Sequence, residues 1–177
     1  MASVDDLERI AAAAARPGEE VTGVLAAELL GGARVYLCAY ESGAWLALGE
    51  DGAPIMSRQA VHDAVSLVAL CEVAEETAGG GHLDELRARL AELRRTEAPE
   101  GIEEAEAAAA ALAETLRPQP RVATTEYLDA LGAASRRLEQ TLGDEAGSPF
   151  ANALQQALPA VEELAEQVIS RNTTSLA

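Results

Sequence analysis

Lysine is absent from the 177-residue chain, and aromatic residues, cysteines and histidines are few. All 13 basic residues are arginines; they face 30 aspartates and glutamates, and the formal net charge is −17. A charge of this sign argues against binding to nucleic acid or to an anionic membrane surface, because the phosphates would repel it. It favours solubility, and it suits a protein partner that is itself basic.

The shortage of aromatic residues limits what the interior can be made of. Aromatics are 3% of the chain, although 49% of its residues are hydrophobic. Alanine, leucine and valine must therefore fill the core, and a chain of this length can bury such a core without disulfides or metals. The two cysteines, Cys38 and Cys71, lie in apolar runs, and we interpret them as buried, reduced thiols.

Long uncharged apolar runs are also missing. A membrane-spanning helix needs ~20 such residues, and no run in the chain approaches that length. The N-terminus carries acidic residues where a signal peptide would carry basic ones. We therefore expect a cytoplasmic protein that makes no use of a membrane.

The residues that are present predict an α+β fold that is mainly α. The stretch 57–78 reads as a long apolar helix that is capped by Ser57 and stopped by three glycines, so we place it at the centre of the molecule. The alternating stretch 34–50 predicts a small antiparallel hairpin packed on that helix. A first helix begins at Ser3, and residues 21–30 read as either strand or helix, with strand favoured.

The second half of the chain reads as helical throughout. Leucine and alanine stripes at helical spacing predict four helices between residues 82 and 171, which we expect to form a bundle. The expected division is therefore 1–81 for the helix, hairpin and central helix and 82–171 for the bundle, packed together as one globular unit. Residues 172–177 are expected to be a frayed tail. A proline at position 159 predicts a kink in the last helix.

The hairpin supplies the first candidate functional surface. A two-residue turn at Ser42-Gly43 would place Glu41 opposite Ala44. In that register Tyr36, Tyr40 and Trp45 share one face of the hairpin, and large aromatic side chains often anchor interfaces. The other interpretation is that the first or the last helix covers this face as ordinary core.

The densest acidic run supplies a second candidate surface. It consists of Glu97, Glu100, Glu103, Glu104 and Glu106. Such a run suits docking of an arginine-rich partner, and it is equally typical of a solvated helix start.

One short stretch bears on enzymatic chemistry. Residues 71–77 read CEVAEET, which resembles the helix half of the Nudix hydrolase box, with Glu72, Val73, Glu75 and Glu76 at the matching positions. Asp63 stands where that family has an upstream glutamate. The resemblance implies divalent-metal binding by the four carboxylates and hydrolysis of diphosphates. The other interpretation is that the glutamates are the solvated end of a core helix.

Other catalytic and metal-binding patterns are missing from the sequence. It contains no GxSxG, CxxC, HxxxH, ExxH or GxGxxG motif. We therefore expect no catalytic residue, no metal and no cofactor, and we interpret the chain as a non-enzymatic interaction module: an adaptor, chaperone or regulator that binds a protein, with a homodimer as an open alternative. A metal-dependent phosphohydrolase using Asp63, Glu72, Glu75 and Glu76 is the second hypothesis.

Overall fold

The computed structural model describes residues 3–97, 99–116, 122–142 and 148–175, and it describes only the backbone of residues 80–82. Over these residues the chain is mainly helical with one small sheet, which confirms the predicted α+β class. The elements in chain order are α1 (Val4–Ala14), β1 (Val21–Glu28), β2 (Arg34–Tyr40), β3 (Trp45–Leu48), α2 (Arg58–Ala78), α3 (Gly80–Thr96), α4 (Ile102–Leu116), β4 (Val122–Thr124), α5 (Thr125–Leu142) and α6 (Pro149–Thr174).

The first helix is fixed at both ends by side chains. The Asp6 backbone N–H donates to the Ser3 hydroxyl at 3.1 Å, and the Asp6 carboxylate accepts from the Ser3 backbone N–H at 3.2 Å, which completes a capping box. At the other end, the Tyr40 hydroxyl donates to the Ala14 carbonyl at 2.7 Å. That bond satisfies one of the carbonyls that a helix C-terminus leaves without a partner.

The sheet has four strands in the order β3-β2-β1-β4. The segment that read ambiguously is a strand, since β1 pairs antiparallel with β2 along most of its length. β4 was not expected: its three residues pair in parallel with the end of β1, so the sheet is mixed rather than purely antiparallel. A strand of three residues is too short to show an alternating pattern.

The predicted register of the hairpin is wrong by one residue. Tyr36 lies opposite Leu48 and Ala39 lies opposite Trp45, and the chain reverses through a three-residue loop that ends at Gly43 with φ of 80°. A slip of one residue moves every side chain of a strand to the other face. Trp45 therefore lies on the face opposite to Tyr36 and Tyr40, and the three aromatics do not form one surface.

The hairpin face that carries the tyrosines belongs to a core beneath α1. Tyr36 and Tyr40 are 1% and 2% exposed, and they cluster with Ile10 and Ala14 of α1. The first helix is thus what covers this face. Along α2, five apolar residues are buried, and Val73 is only partly buried; the five are Val61, Ala64, Val65, Val68 and Cys71. That the hairpin packs on α2 stays a prediction.

By contacts, the chain divides into two compact units. The first comprises Met1–Leu70, Pro120–Thr125 and Leu158–Ala177, and the second comprises Cys71–Gln119 and Glu126–Ala157. α2 and α6 each contribute residues to both units, and the division at residue 81 that the sequence suggested stays a prediction. The second unit has its own core, in which Leu90, Leu112, Leu131 and Leu138 are each at most 2% exposed. All four helices expected after the triple glycine are present, and their arrangement as a four-helix bundle stays a prediction.

The C-terminal end of α6 corrects another expectation. Residues from Asn172 onward were predicted to fray, yet the helix continues to Thr174 and Asn172 is 2% exposed. Of the expected tail, only residues 176–177 lie outside the described residues. α6 also runs through Pro159 as one element. Among the described residues, no helix combines the length and apolar character needed to cross a membrane.

Candidate functional site

A cleft of about 640 Å³ lies in the first unit, between the end of the hairpin and the last turns of α6. Ala44 and Trp45 contribute one side of its lining. The other side is a mainly polar stretch of α6, which includes Glu163, Glu166, Gln167, Ser170, Arg171 and Thr174. Ligand sites in proteins generally have volumes of roughly 300–1,000 Å³, so this cleft is large enough to hold a side chain or a short segment of another molecule.

Trp45 lines this cleft because of the three-residue hairpin loop. The loop shifts the register by one residue, which turns the Trp45 side chain away from the tyrosine core under α1. Trp45 is only partly buried, and it is the single tryptophan of the chain. A partly exposed indole offers a large rigid contact surface, and tryptophan is one of the residues enriched at the energetic centres of interfaces.

The cleft also runs along an exposed edge of the sheet. β3 is an edge strand, and the Tyr40 N–H donates to the Ala44 carbonyl at 2.9 Å. Because antiparallel ladders alternate, the next residues that turn their backbone groups away from β2 are Trp45 and Ala47. An edge strand with outward backbone groups can pair with another chain unless something covers it.

Asn172 covers this edge at Ala47. The Ala47 N–H donates to the Asn172 Oδ1 at 2.9 Å, and the Asn172 Nδ2 donates to the Ala47 carbonyl at 2.7 Å and to the Ile55 carbonyl at 2.9 Å. The side-chain amide thus takes the place of a neighbouring strand. At Trp45, by contrast, no side chain in the described part of the chain hydrogen-bonds to the backbone.

Arg171 lines the cleft, but its charge is already engaged. One guanidinium nitrogen donates to both carboxylate oxygens of Glu19, at 2.6 and 2.8 Å. The guanidinium also lies over the Tyr40 ring, 4.6 Å from its centroid, which is a cation–π geometry. Burial raises the pKa of Tyr40, so the ring stays neutral at physiological pH.

The acidic residues of this part of α6 differ in their partners. Glu166 forms an ion pair with Arg58 of α2, and Glu162 accepts from the His62 Nε2 at 3.0 Å. Glu163 is exposed, and its one hydrogen bond is a 3.5 Å contact from the Gln167 amide. Within the described residues Glu163 has no cationic partner, in contrast to Glu166 of the same cleft lining.

The His62–Glu162 contact makes the stability of the first unit depend on pH. The hydrogen bond to Glu162 raises the pKa of His62 above its ordinary value of 6.5. The stabilisation by the protonated histidine is therefore complete below the unfolded pKa, and it is lost as the pH rises through the folded pKa. The side chain is 31% exposed, and exposed pairs contribute at most about 1 kcal/mol.

Replacing His62 with glutamine should remove this part of the pH dependence. Between pH 5.5 and pH 8.5, we expect the free energy of unfolding of the variant to fall by up to about 1 kcal/mol less than that of the wild type. Urea denaturation at the two pH values measures the difference. Equal pH dependence in the two proteins would show that the contact is not formed in solution.

The acidic run, residues 97–106, lies in the second unit, between the end of α3 and the first turns of α4. Glu97, Glu100, Glu103 and Glu104 are exposed, with Glu103 and Glu104 in the first turn of α4, where carboxylates suit the helix dipole. Glu106 is partly buried and pairs with Arg94 of α3. Docking of a basic partner on this run stays a prediction.

The four carboxylates of the Nudix-like stretch have different surroundings along α2. Glu75 accepts a hydrogen bond from the Tyr127 hydroxyl at 2.7 Å. Partial burial of the Glu72 carboxyl group raises its pKa, and the negative charges of Glu75 and Glu76 raise that pKa further. Asp63 accepts from the Gln59 amide at 2.7 Å, one turn earlier on the same helix. Over the described residues, no three histidine, cysteine, aspartate or glutamate side chains are grouped so that they could hold a metal ion.

Two residues of the cleft region were missed by the sequence analysis. Asn172 reads as part of a polar terminal run, and its partner Ala47 lies 125 positions away in the sequence. Glu163 is one of several glutamates on α6, and no local pattern separates it from Glu162 or Glu166. Only the contacts of the neighbouring glutamates identify it.

No protein-family model, curated protein or solved structure matches the chain. The cleft beside Trp45 combines an edge strand with a carboxylate, that of Glu163, which has no cationic partner among the described residues, and it is the candidate functional site.

Proposed function

We propose that the chain is a non-enzymatic interaction module, an adaptor, chaperone or regulator that binds a protein partner in the cleft beside Trp45. The observation that carries this proposal is a partly exposed tryptophan in an edge strand, at a position where no described residue bonds to the outward backbone groups, next to a cleft of about 640 Å³. Aromatic anchors set in a recess and surrounded by polar residues are the usual centre of a protein interface.

The charge of the chain supports the choice of a protein ligand. With a net charge of −17, the chain repels nucleic acid and attracts basic proteins over distances that depend on salt. The α6 side of the cleft adds Glu163 and Glu166 to this field. The net charge of the chain thus attracts a basic segment of a partner from a distance, and the carboxylates of the cleft favour its binding at the site.

The carboxylates of α2 support no second function. Glu75 is engaged by Tyr127, and the described residues hold no group of three potential metal ligands. The phosphohydrolase hypothesis therefore rests only on the resemblance carried by residues 71–77 and Asp63.

Blocking the cleft should abolish partner binding without unfolding the chain. Ser170 is exposed, lines the cleft and lies inside α6, where methionine is a good helix former, so Ser170→Met fills the space without changing the charge. The experiment captures partners from a lysate of the source organism on the wild-type chain, purifies the main one, and measures its dissociation constant. We expect the dissociation constant to rise at least about tenfold in Ser170→Met, which corresponds to about 1.4 kcal/mol.

Leu30→Ala is the matched control, because Leu30 is 87% exposed, apolar and outside the cleft. This variant should bind the partner as the wild type does, and light scattering on each protein shows whether the partner is a second copy of the chain. Loss of binding in Leu30→Ala with full binding in Ser170→Met would place the interface elsewhere and contradict the proposal.

A further inference from the structure

The charges in the cleft select for a cation. Of its charged lining residues, Arg171 is neutralised by Glu19, and Glu166 shares its charge with Arg58. Glu163 is left without a cation among the described residues. The cleft therefore keeps a net negative charge, and that charge lies in the same recess as the Trp45 side chain.

The molecule already contains one arginine held by this combination of groups. Arg171 is fixed by a carboxylate, that of Glu19, and by an aromatic ring, that of Tyr40. A guanidinium suits both partners, since its planar fork bonds to carboxylates and its face stacks on aromatic rings. Glu163 and Trp45 offer the same two chemical groups on the open side of the cleft.

The edge strand determines the conformation of the ligand. The backbone groups of Trp45 point outward, while those of Ala47 are occupied by Asn172. An extended segment can therefore pair with β3 at a single residue and must then leave the strand to follow the cleft. A helical ligand has its backbone groups bonded internally and cannot use this position.

We propose that the cleft binds an arginine side chain within an extended segment of the partner, with the guanidinium between the Trp45 ring and the Glu163 carboxylate. This inference rests on the proposed function, and it names the chemistry of the partner. The segment backbone pairs with Trp45, and the attraction weakens with salt because Glu163 is exposed.

Tryptophan fluorescence tests the proposal directly, because Trp45 is the only tryptophan. The probes are a capped five-residue peptide with two arginines among alanines, and the same peptide with citrulline in place of arginine. Citrulline has the same shape and no charge. At low salt we expect the arginine peptide to change the Trp45 emission saturably and the citrulline peptide to bind about tenfold more weakly.

Two exposed glutamates provide a matched pair of variants. Glu163→Gln removes the charge in the cleft, and Glu104→Gln removes an exposed charge of the acidic run on α4. We expect Glu163→Gln to weaken binding of the arginine peptide about threefold and Glu104→Gln to leave it unchanged. Equal weakening in both variants would indicate diffuse attraction to an acidic chain and would overturn the proposal.

Two further results would overturn the arginine site. One is equal affinity for the arginine and citrulline peptides, and the other is unchanged Trp45 emission up to millimolar arginine peptide. If Ser170→Met still abolishes partner binding in either case, the proposed function stands and only the arginine assignment fails. If Ser170→Met binds the partner normally while the peptide results hold, the interface lies elsewhere and the cleft is a separate site.

Discussion

Replacing Asn172 with alanine is expected to lower the free energy of unfolding by about 3 kcal/mol, because a buried backbone N–H and a partly buried carbonyl lose their partners. The Ala47 N–H donates to the Asn172 Oδ1, and the Ile55 carbonyl accepts from its Nδ2. The Ala47 carbonyl keeps a second bond, from the Ile55 N–H at 3.0 Å. Chemical denaturation of the variant measures the loss.

Two variants separate this role from a general effect of changing α6. Thr173→Ala removes an exposed side chain whose hydroxyl bonds only to the Ile169 carbonyl of its own helix, so it should cost at most about 0.5 kcal/mol. Asn172→Asp keeps an acceptor for the Ala47 N–H but sets a charged oxygen against two carbonyls. At pH 7 this variant should lose as much free energy of unfolding as Asn172→Ala. At low pH the loss should become smaller, because the protonated carboxyl group can again donate a hydrogen bond. A wild-type-like Asn172→Ala would contradict the account of the edge.

The second large effect is expected at Gly52. Gly52→Ala should lower the free energy of unfolding by about 3 kcal/mol, because backbone strain and crowding both act against the alanine. Gly52 has φ of 78°, a conformation that alanine adopts at a cost. A Cβ atom there would lie 2.9 Å from the Cβ of Ala13, so α1 or the turn would have to move. The loss is measured by the same denaturation experiment.

Gly18 is the control for this substitution, because it has the same φ of 78° and open space around its Cα. Gly18→Ala should cost only the strain, about 1 kcal/mol. The difference between the two variants isolates the contact with Ala13. Equal losses would mean that the turn at Gly52 does not lie against α1.

The sequence predicted the helix ends whose capping residues lie close to the groups that they cap. Ser3 caps α1, and Ser148 followed by Pro149 starts α6, where the Ser148 hydroxyl accepts from the Ala151 N–H at 3.1 Å. These ends are readable because a cap and the groups it satisfies lie within three residues of each other. The long apolar run of α2 is buried for the same kind of reason, since its composition alone demands an interior position.

The hairpin register could not be read in the same way. Both faces of β2 and β3 are apolar, so alternation favours neither register, and the length of the loop decides. The sequence Glu-Ser-Gly at residues 41–43 is compatible with both a two-residue turn and a three-residue loop. The structure selects the longer loop, and that one residue moves Trp45 from the core face to the cleft.

The cleft could not be predicted, because distant parts of the chain create it. Its two sides are separated by more than 100 residues in sequence. Asn172 covers the sheet edge at Ala47 through hydrogen bonds that span 125 positions, which no local pattern predicts. From the sequence came two hypotheses, a basic protein partner from the net charge and an aromatic contact surface on the hairpin, and both stay predictions.

Nuclear magnetic resonance of the ¹⁵N-labelled chain during titration with the arginine peptide tests the central claim most directly. The account predicts that the largest shifts occur at the Trp45 indole N–H and at the backbone amides of residues 44–45 and 163–174. Largest shifts within residues 97–106, or small shifts spread evenly over all acidic regions, would contradict it.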